Sequence, residues 1–131
     1  VVLLERDGLL AQSLRDSVRR LKADAVRVEY ADAMNWLARP PESRFDLAFL
    51  DPPFQANLWG AAAQALSPWL ADEAWVYVEI ARSAQFEPPA GWMLHRQGQT
   101  RDVRHLLYRA LTRSSTVTLS SNSPGPGIEQ A

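Results

Sequence analysis

Four apolar runs separated by stretches of helical periodicity constrain this chain more than any other feature. Val1-Val2-Leu3-Leu4 is continuously apolar and stops at Glu5-Arg6-Asp7, which fits a buried parallel strand. Asp7 is placed to cap a helix over roughly residues 8 to 22, with Leu10, Leu14, Val18 and Leu21 on one face. Ala25 to Tyr30 alternates like a strand. Asp32 then precedes a short helix carrying Ala33, Trp36 and Leu37 inward, and Pro40-Pro41-Glu42-Ser43 breaks it. Phe45 to Leu50 reads as a third strand, followed by a helix with Leu58, Ala62, Leu66 and Trp69 on one face. Ala74 to Ile80 reads as a fourth strand. Beyond a break at Pro88, Pro89 and Gly91, Trp92–Arg96 and Val103–Arg109 read as two more strands, joined through Gly98 as a hairpin.

The order β-α-β-α-β-α-β followed by β-β predicts an α/β fold, with a mainly parallel sheet, helices on its faces and an antiparallel pair at its edge. The 131 residues suffice for one domain, expected over 1–111. From Ser114 onward Ser, Thr, Asn, Pro and Gly dominate. Residues 112–131 are therefore expected to be a disordered tail that buries too little apolar surface to offset its ordering entropy. The chain has no cysteine, which excludes disulfides and thiolate metal sites, and its two histidines make a histidine-rich metal site a poor expectation. The net charge of −1 gives no global basic footprint for nucleic acid. Arginines gather locally at Arg15, Arg19 and Arg20 and at Arg101, Arg104 and Arg109, where solvated faces are the expected role. No apolar run reaches membrane-spanning length and no signal peptide opens the chain, so a cytoplasmic location is expected.

Chemistry is expected where strands end, because ligands of open α/β sheets bind there. Asp51-Pro52-Pro53-Phe54 comes directly off the third strand. Two prolines stiffen the turn and remove two amide donors, leaving carbonyls free to accept. The Asp51 carboxylate can accept from an amino group, and Phe54 offers a face on which a base can stack, worth ~1–3 kcal/mol. Acceptors for an exocyclic NH2 beside a stacking ring suit a flipped-out base. The plain alternative is a strand-terminating turn. Glu5, at the end of the first strand, can accept from both hydroxyls of a ribose or stand as a solvated charge. Asp32 can accept from an adenine amine while Ala33 donates its backbone N–H, and Asp32 can equally cap its helix. Glu79 ends its strand and can face the pocket, though surface placement is the expected one. His95, His105 and the tryptophans Trp36, Trp59, Trp69 and Trp75 are expected to be structural.

Leu4-Glu5-Arg6-Asp7, Ala31-Asp32-Ala33-Met34, Phe49-Leu50-Asp51-Pro52-Pro53-Phe54, Trp69-Leu70-Ala71-Asp72-Glu73-Ala74 and Val76-Tyr77-Val78-Glu79 occur in order and at suitable spacing, with Trp92-Met93-Leu94-His95-Arg96 after them. Together they resemble the RsmD-type family of 16S ribosomal RNA guanine-N2 methyltransferases, over roughly residues 1 to 110. The resemblance implies a Rossmann-like class I methyltransferase fold and S-adenosylmethionine as cofactor. It implies methylation of a guanine N2 amine, with 16S rRNA or a small-subunit assembly particle as partner and a monomeric complete enzyme. Glu5 would contact the cofactor ribose, Asp32 and Ala33 would lie at its adenine, and Asp51, Pro52, Pro53 and Phe54 would hold the target amine. The family's first strand with its Gly-rich loop, and its basic N-terminal segment, have no counterpart here. The chain is therefore expected to be the C-terminal two-thirds of such an enzyme, with weak cofactor affinity and little or no turnover by itself. Two other readings stay open: N6-adenine methylation of DNA or RNA, since that target is also an exocyclic amine, and a non-catalytic fragment that binds RNA or a protein.

Overall fold

A computed structural model describes residues 1–51 and 59–111 and divides the chain at Pro40 into two units. In the first unit, β1 (Val2–Glu5) leads into α1 (Gly8–Arg20), β2 (Arg27–Tyr30) and the short α2 (Ala33–Leu37). β1 and β2 pair in parallel, with Glu5 opposite Tyr30, so both strands end at one level. Each helix starts at an aspartate. Asp7 Oδ1 accepts the Leu9 and Leu10 amides at 2.9 and 3.0 Å, satisfying donors that a helix end leaves without partners. The inward face of α1 differs from the expected one. Ala11 is buried and Leu14 and Val18 are half-buried, whereas Leu10 and Leu21 are exposed. Ala11, Leu14 and Val18 form the inward stripe at helical spacing, and Leu10 lies beside it rather than on it. Leu21 serves as the C-cap residue, past the last full turn.

The second unit holds β3 (Phe45–Leu50), α3 (Trp59–Leu66), a 3₁₀ turn at Ser67–Trp69, β4 (Leu70–Ala81), β5 (Trp92–Gln99) and β6 (Val103–Leu111). Its sheet runs β3-β4-β6-β5. β3 and β4 are parallel, as the alternation of elements predicted, while β6 is antiparallel to both β4 and β5, so this sheet is not mainly parallel. β4 shows why one sheet face is closed. From Ala74 to Ile80 every second residue is buried, and Ala74, Val76, Val78 and Ile80 lie on that side with Leu106, Tyr108 and Ala110 of β6. Trp59, Ala62, Ala63 and Leu66 of α3 are buried too. Trp75, Tyr77 and Glu79 occupy the other face of β4.

The hairpin between β5 and β6 does not turn at Gly98. Gly98 is paired within the ladder, opposite His105, and Thr100 closes the turn by donating its amide to the Val103 carbonyl at 2.8 Å. A Cβ on Gly98 would meet nothing within 4 Å, so this glycine lies on an open strand rather than at a tight bend. Gly91 is the conformational glycine. Its φ of 89° lies in the left-handed region, and a Cβ there would stand 2.5 Å from the Leu111 carbonyl oxygen. Leu58, expected on the apolar face of this helix, and the tail at 112–131 lie outside the described residues.

The burial pattern predicts a sharp contrast in stability. Ile80→Ala should lower unfolding stability by about 2–5 kcal/mol, since the side chain is completely enclosed. Leu9→Ala, at a position 86% exposed, should change it by less than about 0.5 kcal/mol. Urea titration followed by tryptophan fluorescence measures both.

Candidate active site

The expected site residues divide between the two units. In the first, Glu5 is the last residue of β1 and is half-buried. Its Oε2 accepts the Asp7 amide at 3.1 Å, which leaves Oε1 without a hydrogen bond among the described residues. Asp32 directly follows the stretch paired to β1, since the Ala31 amide donates to the Glu5 carbonyl at 2.9 Å. Its Oδ1 caps α2 through the Met34 and Asn35 amides at 2.9 and 3.2 Å, and its Oδ2 lies 3.9 Å from Arg6. The capping role is therefore filled. The Ala33 amide is not used by the cap. Ala33 itself is exposed, not turned inward as expected, whereas Trp36 is buried.

In the second unit, Asp51 leaves β3 at its C-terminal end and is exposed. Pro52, Pro53 and Phe54 lie outside the described residues. The neighbours of Asp51 are set by the parallel ladder. Phe49 stands opposite Tyr77 and Leu50 opposite Val78, which brings Asp51 level with Glu79. The Phe49 and Tyr77 rings meet edge-on with centroids 5.7 Å apart, so they share one sheet face. Two residues further along, Asp51 and Glu79 return to that face.

Loss of surrounding water pushes the Asp51 carboxyl above its ordinary 3.8, and the Glu79 carboxylate adds to the shift by repulsion. Tyr77 is displaced in the same direction, first by desolvation and then by Glu79 and Asp51, so its phenol stays protonated as a donor. Tyr77 OH lies 3.4 Å from Glu79 Oε2 and 2.5 Å from His105 Nδ1, and His105 Nδ1 lies 3.5 Å from Glu79 Oε2. A chain in which His105 Nδ1–H donates to Tyr77 and Tyr77 donates to Glu79 gives each of these groups a partner. His105 stacks on Tyr77 with centroids 5.9 Å apart. From the other face, Trp59 Nε1 donates to the Glu79 carbonyl at 3.0 Å and ties α3 to this point of β4.

Glu79 is the residue that sequence reasoning undervalued. Its side chain is 31% exposed and belongs to the Asp51 group, not to an outlying surface. The alternation Trp75-Tyr77-Glu79 carried the signal, but only the strand register shows which neighbour it meets. His105 is structural in the sense that it supports Tyr77 and Glu79. His95 is exposed and meets the Trp75 ring edge-on at 5.0 Å. Trp75 departs from the core placement of Trp36, Trp59 and Trp69, and is half-buried beneath the Arg109 guanidinium at 4.6 Å. Arg104 and Arg109 of the second arginine group are therefore tied down rather than simply solvated. Arg109 also pairs with Glu73 at 2.8 Å, and Arg104 donates to the Ala84 carbonyl at 2.9 Å.

The family model described as conserved hypothetical protein 95 matches residues 1–109. The chain is similar to ribosomal RNA small subunit methyltransferase D of Escherichia coli K12, at 36% identity over 110 residues covering 82% of this chain and 55% of the relative. It is also similar to the protein of that name in Haemophilus influenzae, at 32% identity, with 83% of this chain and 59% of the relative covered. The solved structure of yhhF from Escherichia coli superposes with a TM-score of 0.78 and 34% identity, covering 86% of this chain and 63% of that one. This likeness places the α/β architecture described above in the class I methyltransferase fold. The chain spans about half the length of the curated relatives it matches.

The raised Asp51 carboxyl yields a prediction with a defined sign. The folded state holds this proton more tightly than the unfolded chain, so its stabilising contribution is complete below the ordinary value near 3.8 and is lost as pH rises through the folded value. Asp51→Asn should therefore raise the melting temperature at pH 7 and leave it unchanged near pH 3. Calorimetric melts at the two pH values check this, and a variant less stable at pH 7 would contradict it.

Proposed function

This chain belongs to the RsmD family of methyltransferases, described as conserved hypothetical protein 95. We propose that its second unit carries residues that hold the target amine, and its first unit residues that hold the cofactor, of an enzyme that methylates the N2 amine of a guanine in 16S ribosomal RNA. The observation that carries this reading is Asp51. It places an exposed carboxylate at the C-terminal end of a parallel strand, flanked on the same face by an aromatic pair and a second carboxylate. Such a strand end is where an open α/β sheet receives its ligand. The partner in this reading is 16S rRNA or a small-subunit particle, as the relatives' name supports.

The residues present suit S-adenosylmethionine. Glu5 Oε1 is available to a ribose hydroxyl, and the Ala33 N–H is available to the edge of an adenine, while Asp32 offers its Oδ2 to the adenine amine. When bound, the cofactor supplies a methyl group on a positively charged sulfur. Asp51 accepts one N–H of the target amine and so turns the nitrogen lone pair away from the carboxylate, toward the methyl. Pro52, Pro53 and Phe54 complete this role in the proposal, through proline-turn carbonyls and a stacking ring. Orientation of this kind supplies much of the acceleration for a reaction whose leaving group is already good.

Two measurements test the assignment in the complete protein. Asp51→Ala should reduce methyl incorporation into 16S rRNA about a hundredfold, and digestion of the wild-type product to nucleosides should give N2-methylguanosine. Recovery of N6-methyladenosine in its place would transfer the protein to adenine chemistry. Glu5→Ala should weaken S-adenosylmethionine binding about tenfold by calorimetry, the loss of a hydrogen bond to a charged acceptor. An unchanged affinity would remove Glu5 from the ribose.

A further inference from the structure

We propose that Glu79 selects guanine at this site by accepting the N1–H of the target base, beside the 2-amino group held by Asp51. The inference rests on the amine-holding reading of Asp51 and adds the second acceptor that the reading lacks.

On the Watson–Crick edge, the ring nitrogen beside the amine separates the two purines. Guanine presents two adjacent donors, N1–H and the 2-amino group. Adenine presents its amine beside an N1 lone pair. Enzymes that act on an extruded base read this edge by hydrogen bonds. A single carboxylate beside an amine cannot tell the purines apart, because both offer N–H to it. Two carboxylates side by side match two donors. The same pair sets a negative oxygen against the lone pair of adenine N1, leaving both groups without a partner.

The structure supplies that second carboxylate in a fixed position. The Leu50–Val78 pairing puts Asp51, one residue past the end of β3, level with Glu79 on β4, and both follow the Phe49–Tyr77 ring pair. The Glu79 backbone is held from both sides, by pairing with His105 in β6 and by the Trp59 indole from α3. Its side chain is held by Tyr77, which is braced in turn by His105. These contacts engage Oε2, and Oε1 makes no hydrogen bond among the described residues. The repulsion that Glu79 exerts on Asp51 is the electrostatic sign of their closeness, and two neighbouring N–H donors would relieve it.

The test uses the complete protein and small-subunit RNA that lacks the modification. The guanosine that the wild type modifies is located by mass mapping and replaced by 2-aminopurine. This base keeps the 2-amino group but carries a lone pair at N1. Wild type should prefer guanine over 2-aminopurine by about 10- to 100-fold in kcat/KM, the range of a hydrogen bond to a charged group. In Glu79→Gln the amide can donate to that lone pair, so the preference should shrink at least tenfold. The ratio is taken within one protein, so a general loss of folded enzyme leaves it unchanged. Equal ratios in the two proteins would overturn the role of Glu79 while leaving Asp51 in place. A wild-type protein that forms no N2-methylguanosine would overturn both.

Discussion

The parallel ladder between β3 and β4 is the constraint on which the candidate site depends. Its register, Phe49 to Tyr77 and Leu50 to Val78, decides which side chains share a face at the strand ends. A slip of one residue would turn Asp51 away from Glu79 and expose the apolar face of the strand. The register is secured by what lies on the other side of β4. Val76, Val78 and Ile80 are fully enclosed, so their burial fixes the phase of the whole strand, including the polar residues opposite them. A strand that is apolar on one face thus aims chemistry on the other.

The antiparallel addition of β6 completes the arrangement. It places His105 next to Glu79 and so connects Asp51, Glu79, Tyr77 and His105 across three strands. The Glu79 carboxylate makes ionisation of Asp51 less favourable. Ionised groups held close without donors between them are a stability burden, and such burdens gather where a ligand is to be received. In the first unit the opposite holds. Asp7 and Asp32 are satisfied helix caps, and Glu5 already accepts one amide, so those acids are stable without a ligand.

Much of the fold was legible because its signals are local. Apolar runs, aspartate caps and the Pro88-Pro89-Gly91 break follow from neighbouring residues, and each appears in the structure. The misplacements arose where a local pattern had two solutions. Gly98 resembled a turn glycine but serves in an open strand, and the turn forms further on at Thr100. Leu10 and Leu21 matched a helical stripe, yet the buried stripe runs through Ala11, Leu14 and Val18. Trp75 fills the structural role expected of it by packing outside the core, since strict alternation with the buried Ala74 and Val76 puts it on the opposite face, beneath Arg109.

The sequence by itself determined the element order, the parallel pairing of strands joined through helices, the antiparallel final pair and the placement of Glu5 and Asp51 at strand ends. Those properties depend on residues that are near one another in the chain. Only the tertiary structure decided that Glu79 stands beside Asp51 and is braced by Tyr77 and His105. The reason is physical: strand register is a long-range pairing, fixed by which side chains the core encloses. No local pattern around residue 51 contains residue 79.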